Sequence, residues 1–235
     1  RTRAVFDREK PTRFGILPRH APGSEVRWFE ASPCFMYHTV NAWEEGDKVV
    51  LVGCKIENPL AGDPKNPARD RVIPAIGFLR LEPLLYRWTF DLRDGSVREE
   101  TLDDTLAEFP KMDVRAMGRR SRYVYSPRFA PSDVMLFDGF LKYDTDRGTS
   151  VAHDHPGGWY GGELAFAPRE NARSEDDGYL VTFVVEEATG RSELHVFDAQ
   201  SPEKSPVARV KIPHRVPTGY HTWWIPGDGL DAAKV

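Results

Sequence analysis

An apolar segment that closes on an aromatic–aspartate pair recurs at Phe90-Asp91, Tyr143-Asp144 and Phe197-Asp198, and these pairs stand 53 and 54 residues apart. Each pair closes an apolar, roughly alternating segment: Leu85 to Asp91, Gly139 to Asp144, and Ser192 to Asp198. Alternation is the mark of a half-buried strand, and the aspartate supplies a side chain that can bond its own backbone and start a turn. A period near 50 residues built from strand, aspartate-containing turn and strand is the signature of propeller blades of about four strands each. Further strand candidates, Ser121 to Ser126 and Tyr179 to Val185, lie between the recurrences and give each repeat room for a blade. A β-sandwich carries no such period. The one helix-like patch, Leu102 to Phe109, is short. The 19 Gly and 19 Pro are scattered rather than clustered, as many turns and short strands require. The expectation is an all-β propeller.

Upstream of the first recurrence, Thr12 to Arg19 reads as a short strand stopped by proline, and Glu25 to Glu30 as another. The segment around His38 and the segment Asp47 to Cys54 follow, joined by Glu45-Gly46-Asp47 as a hairpin turn. Glu57 to Ala75, with Pro59, Pro64, Pro67 and Pro74 among its charges, reads as a long loop. Ile76 to Leu85 is apolar with mixed period, which leaves helix and strand both open. A net charge of −4 carries no polyanion-binding signature, and Arg119-Arg120 reads as a solvated turn. No run approaches 18 apolar residues, so no helical membrane span is expected. Cys34 and Cys54 form no CxxC or zinc spacing and read as reduced thiols of a cytoplasmic protein. The chain begins with Arg1 rather than Met, and it is expected to be an excised portion of a longer protein.

The residues that could carry chemistry are few. His38 sits in Met36-Tyr37-His38-Thr39-Val40-Asn41-Ala42-Trp43-Glu44-Glu45, a strand-like apolar run that ends in charge. A buried imidazole there needs a partner for each nitrogen, which a core histidine finds in backbone and a ligand finds in a metal. His221 lies in Arg215-Val216-Pro217-Thr218-Gly219-Tyr220-His221-Thr222-Trp223-Trp224-Ile225. The two are 183 residues apart, yet the innermost strands of propeller blades face a common axis, so distant histidines can meet there. Glutamates are mostly surface charge, but Glu163, between Gly161-Gly162 and an apolar run, fits an interior position. His153-Asp154-His155 has metal-like spacing, but Pro156-Gly157-Gly158 beside it indicates a loop, and the pair lacks a third ligand. His20, His195 and His214 read as surface or structural residues. Trp223 and Trp224 could line an apolar tunnel or pack between blades. No nucleophile or acid–base dyad stands out.

Several of these segments resemble one family. Phe35 to Glu44 resembles the segment carrying an iron-binding histidine in the carotenoid cleavage oxygenases, which include stilbene-cleaving enzymes and a retinoid isomerohydrolase. Pro11 to Arg19 looks like the segment just upstream of that family's third iron-binding histidine, and Arg215 to Ile225 resembles the surroundings of the fourth. Glu108 in Ala107-Glu108-Phe109-Pro110 and Glu163 in Gly161-Gly162-Glu163-Leu164-Ala165-Phe166 look like the family's two glutamate elements. The most family-like stretch is structural, a turn feeding two strands: Glu175 to Val185, continuing through Ser192 to Ala199. The resemblance runs from about Pro11 to Trp224, and residues 57–75 and 128–136 lack a counterpart.

The resemblance implies a seven-bladed β-propeller fold, with residues 1–235 as roughly the C-terminal four blades of a single oxygenase domain. It implies Fe2+ held by His38 and His221, with Glu108 orienting His38 and Glu163 orienting His221. The chain departs from the pattern in holding counterparts of only two of the family's four histidines and about half its length. The implied activity of the parent enzyme is O2-dependent scission of a C=C bond in a carotenoid or apocarotenoid, giving two carbonyl products. Lignostilbene-type cleavage by the same chemistry is the alternative, and a metal-free propeller acting as a protein-binding module is the rival from another class. The implied partners are an apolar polyene or stilbene and O2, with no nucleic acid and with peripheral membrane contact as one route of substrate access.

Overall fold

The computed structural model describes residues 6–57, 59, 82–132, 134–217 and 219–227. The reading of 57–75 as a loop falls outside these apart from Glu57 and Pro59, as does the ambiguous apolar stretch at 76–81. The chain divides into two compact units, the first made of residues 1–108, 117–120 and 131–135 and the second of 109–116, 121–130 and 136–235. Among the described residues neither unit contains an α-helix longer than a turn, and no helix is long and apolar enough to cross a membrane.

In the first unit β3 (Thr39–Glu45), β4 (Lys48–Lys55), β5 (Leu84–Asp91) and β6 (Val97–Thr101) form a four-stranded antiparallel meander in sequence order. The turn at Gly46-Asp47 joins β3 to β4, with Glu45 opposite Lys48. Alternation on β5 sends Tyr86, Trp88 and Phe90 to one face, where they are buried. A separate hairpin of β1 (Thr12–Ile16) and β2 (Arg27–Ala31) covers that face: Phe14 lies 5.5 Å from Trp88 and 5.1 Å from Phe90, and Phe29 lies 5.3 Å from Phe90, between ring centroids. Tilted aromatic pairs at this separation add to what burial alone supplies.

The second unit is one eight-stranded sheet. Its path runs β14 (Ala208–Ile212), β13 (Ser192–Asp198), β12 (Gly178–Glu186), β10 (Trp159–Gly161), β8 (Phe137–Asp144) and β7 (Tyr123–Phe129). β9 (Thr149–Asp154) pairs with β8, and β11 (Ala165–Pro168) with β12. Tyr125, Phe140, Leu164, Phe166, Leu180 and Phe197 form its core. The Glu175-Asp176-Asp177 turn is structural, as expected from the sequence, and each of its acids has a definite partner. The Glu175 carboxylate accepts the N–H groups of Arg122 and Tyr123 at the start of β7. Asp176 holds the buried Lys142 ammonium at 2.6 Å, and Asp177 holds Arg169 at 2.8 Å.

The three aromatic–aspartate pairs end β5, β8 and β13. Phe90, Tyr143 and Phe197 are buried, while Asp91, Asp144 and Asp198 each accept a backbone N–H two residues on, from Arg93, Asp146 and Gln200. One face of the sequence signal is therefore core and the other is turn chemistry. The helix-like patch at Leu102 to Phe109 is not helical. Its backbone bonds go sideways instead, Leu102 N–H to Leu85 and Ala107 N–H to Pro83, and the φ of +54° at Phe109 ahead of Pro110 stops any helix there.

Phe197 is 1% exposed and lies 5.0 Å from Phe140 and 4.5 Å from His153 between ring centroids. Phe197→Ala is expected to cost about 3–5 kcal/mol by urea unfolding. Val207→Ala, at an exposed site, should stay within about 0.5 kcal/mol of wild type.

Candidate metal centre

His38 lies immediately before β3 rather than inside a strand, and its imidazole is half-buried. The segment leading to it is pinned along β4. Phe35 and Ile56 exchange both backbone bonds at 2.8 Å, and the His38 carbonyl accepts the Cys54 N–H at 3.0 Å. The segment packs closely on Gly53: a Cβ there would lie 2.8 Å from the Met36 sulfur and 3.2 Å from the His38 carbonyl oxygen. Downstream, the Asn41 side chain donates to the Arg119 carbonyl at 2.8 Å and accepts the Gly118 N–H at 3.0 Å, so β3 is held there as well.

Glu108 is 1% exposed and stands 2.8 Å from His38 Nδ1. A buried carboxylate at that distance accepts the Nδ1 proton, which makes Nε2 the lone-pair nitrogen of the ring. Burial first, and the Glu108 charge second, push the pKa of Cys54 well up. Cys54 therefore stays a protonated thiol and a core residue. The same two causes raise Tyr37.

The second unit carries an equivalent pair. His221 lies in a coil segment with its ring 63% exposed, and its Nδ1 is 3.3 Å from Glu163 Oε1. Glu163 is 4% exposed. Its other oxygen accepts the Thr222 N–H, and Thr222 Oγ1 in turn donates to the Leu164 carbonyl at 3.1 Å. Gly161, two residues before Glu163, has a spatial cause, because a Cβ there would lie 2.5 Å from the buried His155 Nε2. Phe109 meets the His221 ring edge-on at 6.0 Å. A cleft of about 170 Å³ beside Glu163 is walled by Tyr160, Phe183, Val185, Val216 and Pro217.

Sequence reasoning missed Lys111. Its ammonium stands 2.7 Å from Glu163 Oε1 and donates to the Thr222 carbonyl at 3.1 Å. A lysine three residues past Glu108 carries no local pattern that would single it out. Trp223 and Trp224 are both exposed, with Lys111 5.7 Å from the Trp223 ring.

His153-Asp154-His155 corrects the reading as a loop. His153 sits on β9, His155 follows it, and both rings turn inward, as i and i+2 on a strand must. His153 stacks on Phe140 at 4.9 Å and meets His155 edge-on at 5.4 Å. His195 is buried on β13 with its Nε2 3.0 Å from Glu193. Among the described residues no three His, Cys, Asp or Glu side chains form a metal cage.

Antiparallel β-meanders with turn-capping aspartates thus make up the described chain, and two of its imidazoles each meet a buried glutamate through Nδ1. The chain belongs to the retinal pigment epithelial membrane protein family, whose sequence profile matches residues 2–226. This is the carotenoid cleavage oxygenase group that the sequence resembles. The chain is 36% identical to a carotenoid 9,10(9',10')-cleavage dioxygenase of Crocus sativus, covering 94% of this chain and 42% of that protein. It is 31% identical to a carotenoid cleavage oxygenase of Mycobacterium tuberculosis (92% and 42%) and 30% identical to an isoeugenol monooxygenase of Pseudomonas nitroreducens (94% and 48%). A cobalt-substituted Synechocystis apocarotenoid oxygenase matches with a TM-score of 0.80 at 27% identity over 92% of this chain and 44% of that one. The structures matched are seven-bladed propellers, and this chain has the fold of part of one. It spans less than half the length of these relatives.

The His155 pKa is pushed down to about 3, chiefly by burial and then by His153, His195 and Arg128, with Asp154 opposing. His153 and His195 shift the same way, also through burial. A histidine whose folded pKa lies below the unfolded value of about 6.5 contributes stability above that pH and loses it as pH falls toward the folded value. Urea midpoints should therefore drop between pH 6.5 and 4, and His155→Gln should flatten that slope.

Proposed function

We propose that this chain is part of a non-haem iron dioxygenase that cleaves a C=C bond of a carotenoid or apocarotenoid with O2 to give two carbonyl products. The observation that carries the proposal is the pair of histidines each oriented through Nδ1 by a buried glutamate, His38 by Glu108 and His221 by Glu163. That is how proteins prepare an imidazole for a metal, since the carboxylate fixes the tautomer and raises the basicity of Nε2. The buried core pair His195–Glu193 differs in that the carboxylate meets Nε2 rather than Nδ1. Relatives named as carotenoid cleavage dioxygenases and a cobalt-substituted apocarotenoid oxygenase support both the substrate class and the presence of a metal.

The residues fit iron. Neutral imidazoles are suitable ligands for it and contribute no charge of their own. When bound, Fe(II) supplies the activation of O2 that the side chains cannot. The chain's own residues do the rest. His38 and His221 present Nε2, while Glu108 and Glu163 hold the Nδ1 protons. Phe109 restricts the His221 ring, and Lys111 and the Thr222 N–H occupy the Glu163 carboxylate on its other sides. No side chain is needed to move a proton in this reaction, which adds two oxygen atoms across one C=C bond and breaks it. The 30% identity to an isoeugenol monooxygenase supports a second reading, ranked behind the first: oxygenative cleavage of a stilbene-type double bond.

Anaerobically purified full-length protein is expected to contain iron and to convert an apocarotenoid into two carbonyl products. His38→Ala and His221→Ala should each lose the iron and the activity together. Iron retained in both variants would remove the assignment of these ligands, and a wild-type protein without iron would leave a metal-free binding module as the better reading.

A further inference from the structure

We infer that Lys111 is a positioning residue for the His221 end of the site, fixing the Glu163 carboxylate and the Thr222 backbone in one arrangement. The inference rests on the metal-site reading above. His221 belongs to no strand and its ring is largely exposed, so its own burial does not set where it points. Its Nδ1 bond to Glu163 and the edge of Phe109 act on the ring, and Glu163 also holds Thr222, the next residue of the backbone. The Glu163 carboxylate is in turn closer to Lys111, at 2.7 Å, than to His221, at 3.3 Å. A short charge-assisted contact is the stronger of the two, so the lysine sets the carboxylate and the imidazole follows it.

The anchor of this arrangement is rigid. The backbone N–H and C=O of Lys111 both bond to Tyr125 on β7, at 2.7 and 2.8 Å, and Tyr125 is 1% exposed and stacked on Phe166. The lysine side chain is only 15% exposed. From that base the ammonium bonds Glu163 Oε1 and the Thr222 carbonyl, and the other Glu163 oxygen takes the Thr222 N–H. Lys111, Glu163 and Thr222 thus close a ring of contacts, and Thr222 is the residue next to the ligand. An ammonium has three donors and can serve carboxylate and carbonyl together. A neutral replacement leaves a buried carboxylate without that cation, and the carboxylate then turns toward whatever donor or water it can reach. Its bond to His221 Nδ1 is lost or shared.

The test compares Lys111→Met, Lys111→Gln and Lys111→Arg with wild type in the full-length protein, each confirmed folded by its unfolding midpoint. Cobalt(II) titration of the metal-free proteins, followed by visible absorption, should show affinity about 10- to 100-fold weaker in the neutral variants, the loss typical of removing a group that orients a ligand. Lys111→Arg, which keeps the charge, should restore most of it. In metal-free protein, 15N shifts of the His221 ring should report one tautomer, protonated at Nδ1, in wild type and a mixture in the neutral variants. Unchanged cobalt affinity in a folded neutral variant would overturn the inference and leave the metal-site reading standing, as would a single unchanged tautomer. No cobalt uptake by wild type would overturn the metal-site reading and the inference with it.

Discussion

A carboxylate held within hydrogen-bonding reach of an imidazole nitrogen, and out of water, is the interaction on which the rest of this structure's meaning depends. Burying a carboxylate is costly unless its lone pairs are taken up. Glu108 and Glu163 are among the least exposed charged side chains of the described residues, and each is aimed at a histidine Nδ1. The fold bears that cost in two ways. In the first unit the pair is set by backbone, with His38 tied to Cys54 and Ala107 tied to Pro83 on either side. In the second unit it is set by side chains, because His221 lies in a coil, and the ordering comes from Lys111, Glu163 and Thr222.

The antiparallel sheets supply the rigidity that such pairs need. Alternation sorts each strand into a core face and an outer face. The aspartates that close β5, β8 and β13 end the strands by bonding the backbone of the turn. Other buried charges secure the frame, such as Lys142 against Asp176, where a mismatch would leave an unpaired ion in the core. The left-handed φ of Phe109, directly after Glu108, is a conformation that aromatic residues seldom adopt. Such a residue is held by its surroundings, and here it packs against Phe137 and His221.

What the sequence made legible was whatever repeats or alternates. The aromatic–aspartate spacing located three strands with their turns, and the Glu45-Gly46-Asp47 hairpin could be read directly. The partnership of Glu108 with His38 came only through family resemblance, since 70 residues separate them and no periodicity links them. Leu102 to Phe109 looked helical because local propensity says nothing of the sideways bonds to Leu85 and Pro83. His153 and His155 looked like loop residues because the following Pro-Gly-Gly outweighed the strand before them. The tertiary reason for their burial lies in Phe140 and Phe197, on other strands. Lys111 could not have been found, because its importance lies in a contact 52 residues away with Glu163.

The most direct test of this account is diffraction from crystals of the full-length protein at wavelengths on either side of the iron absorption edge. The expected result is an iron anomalous peak about 2.1 Å from Nε2 of His38 and of His221, an ordinary metal–imidazole distance, with both Nδ1 atoms still on Glu108 and Glu163. An iron peak bound elsewhere, or none in an active protein, would contradict it.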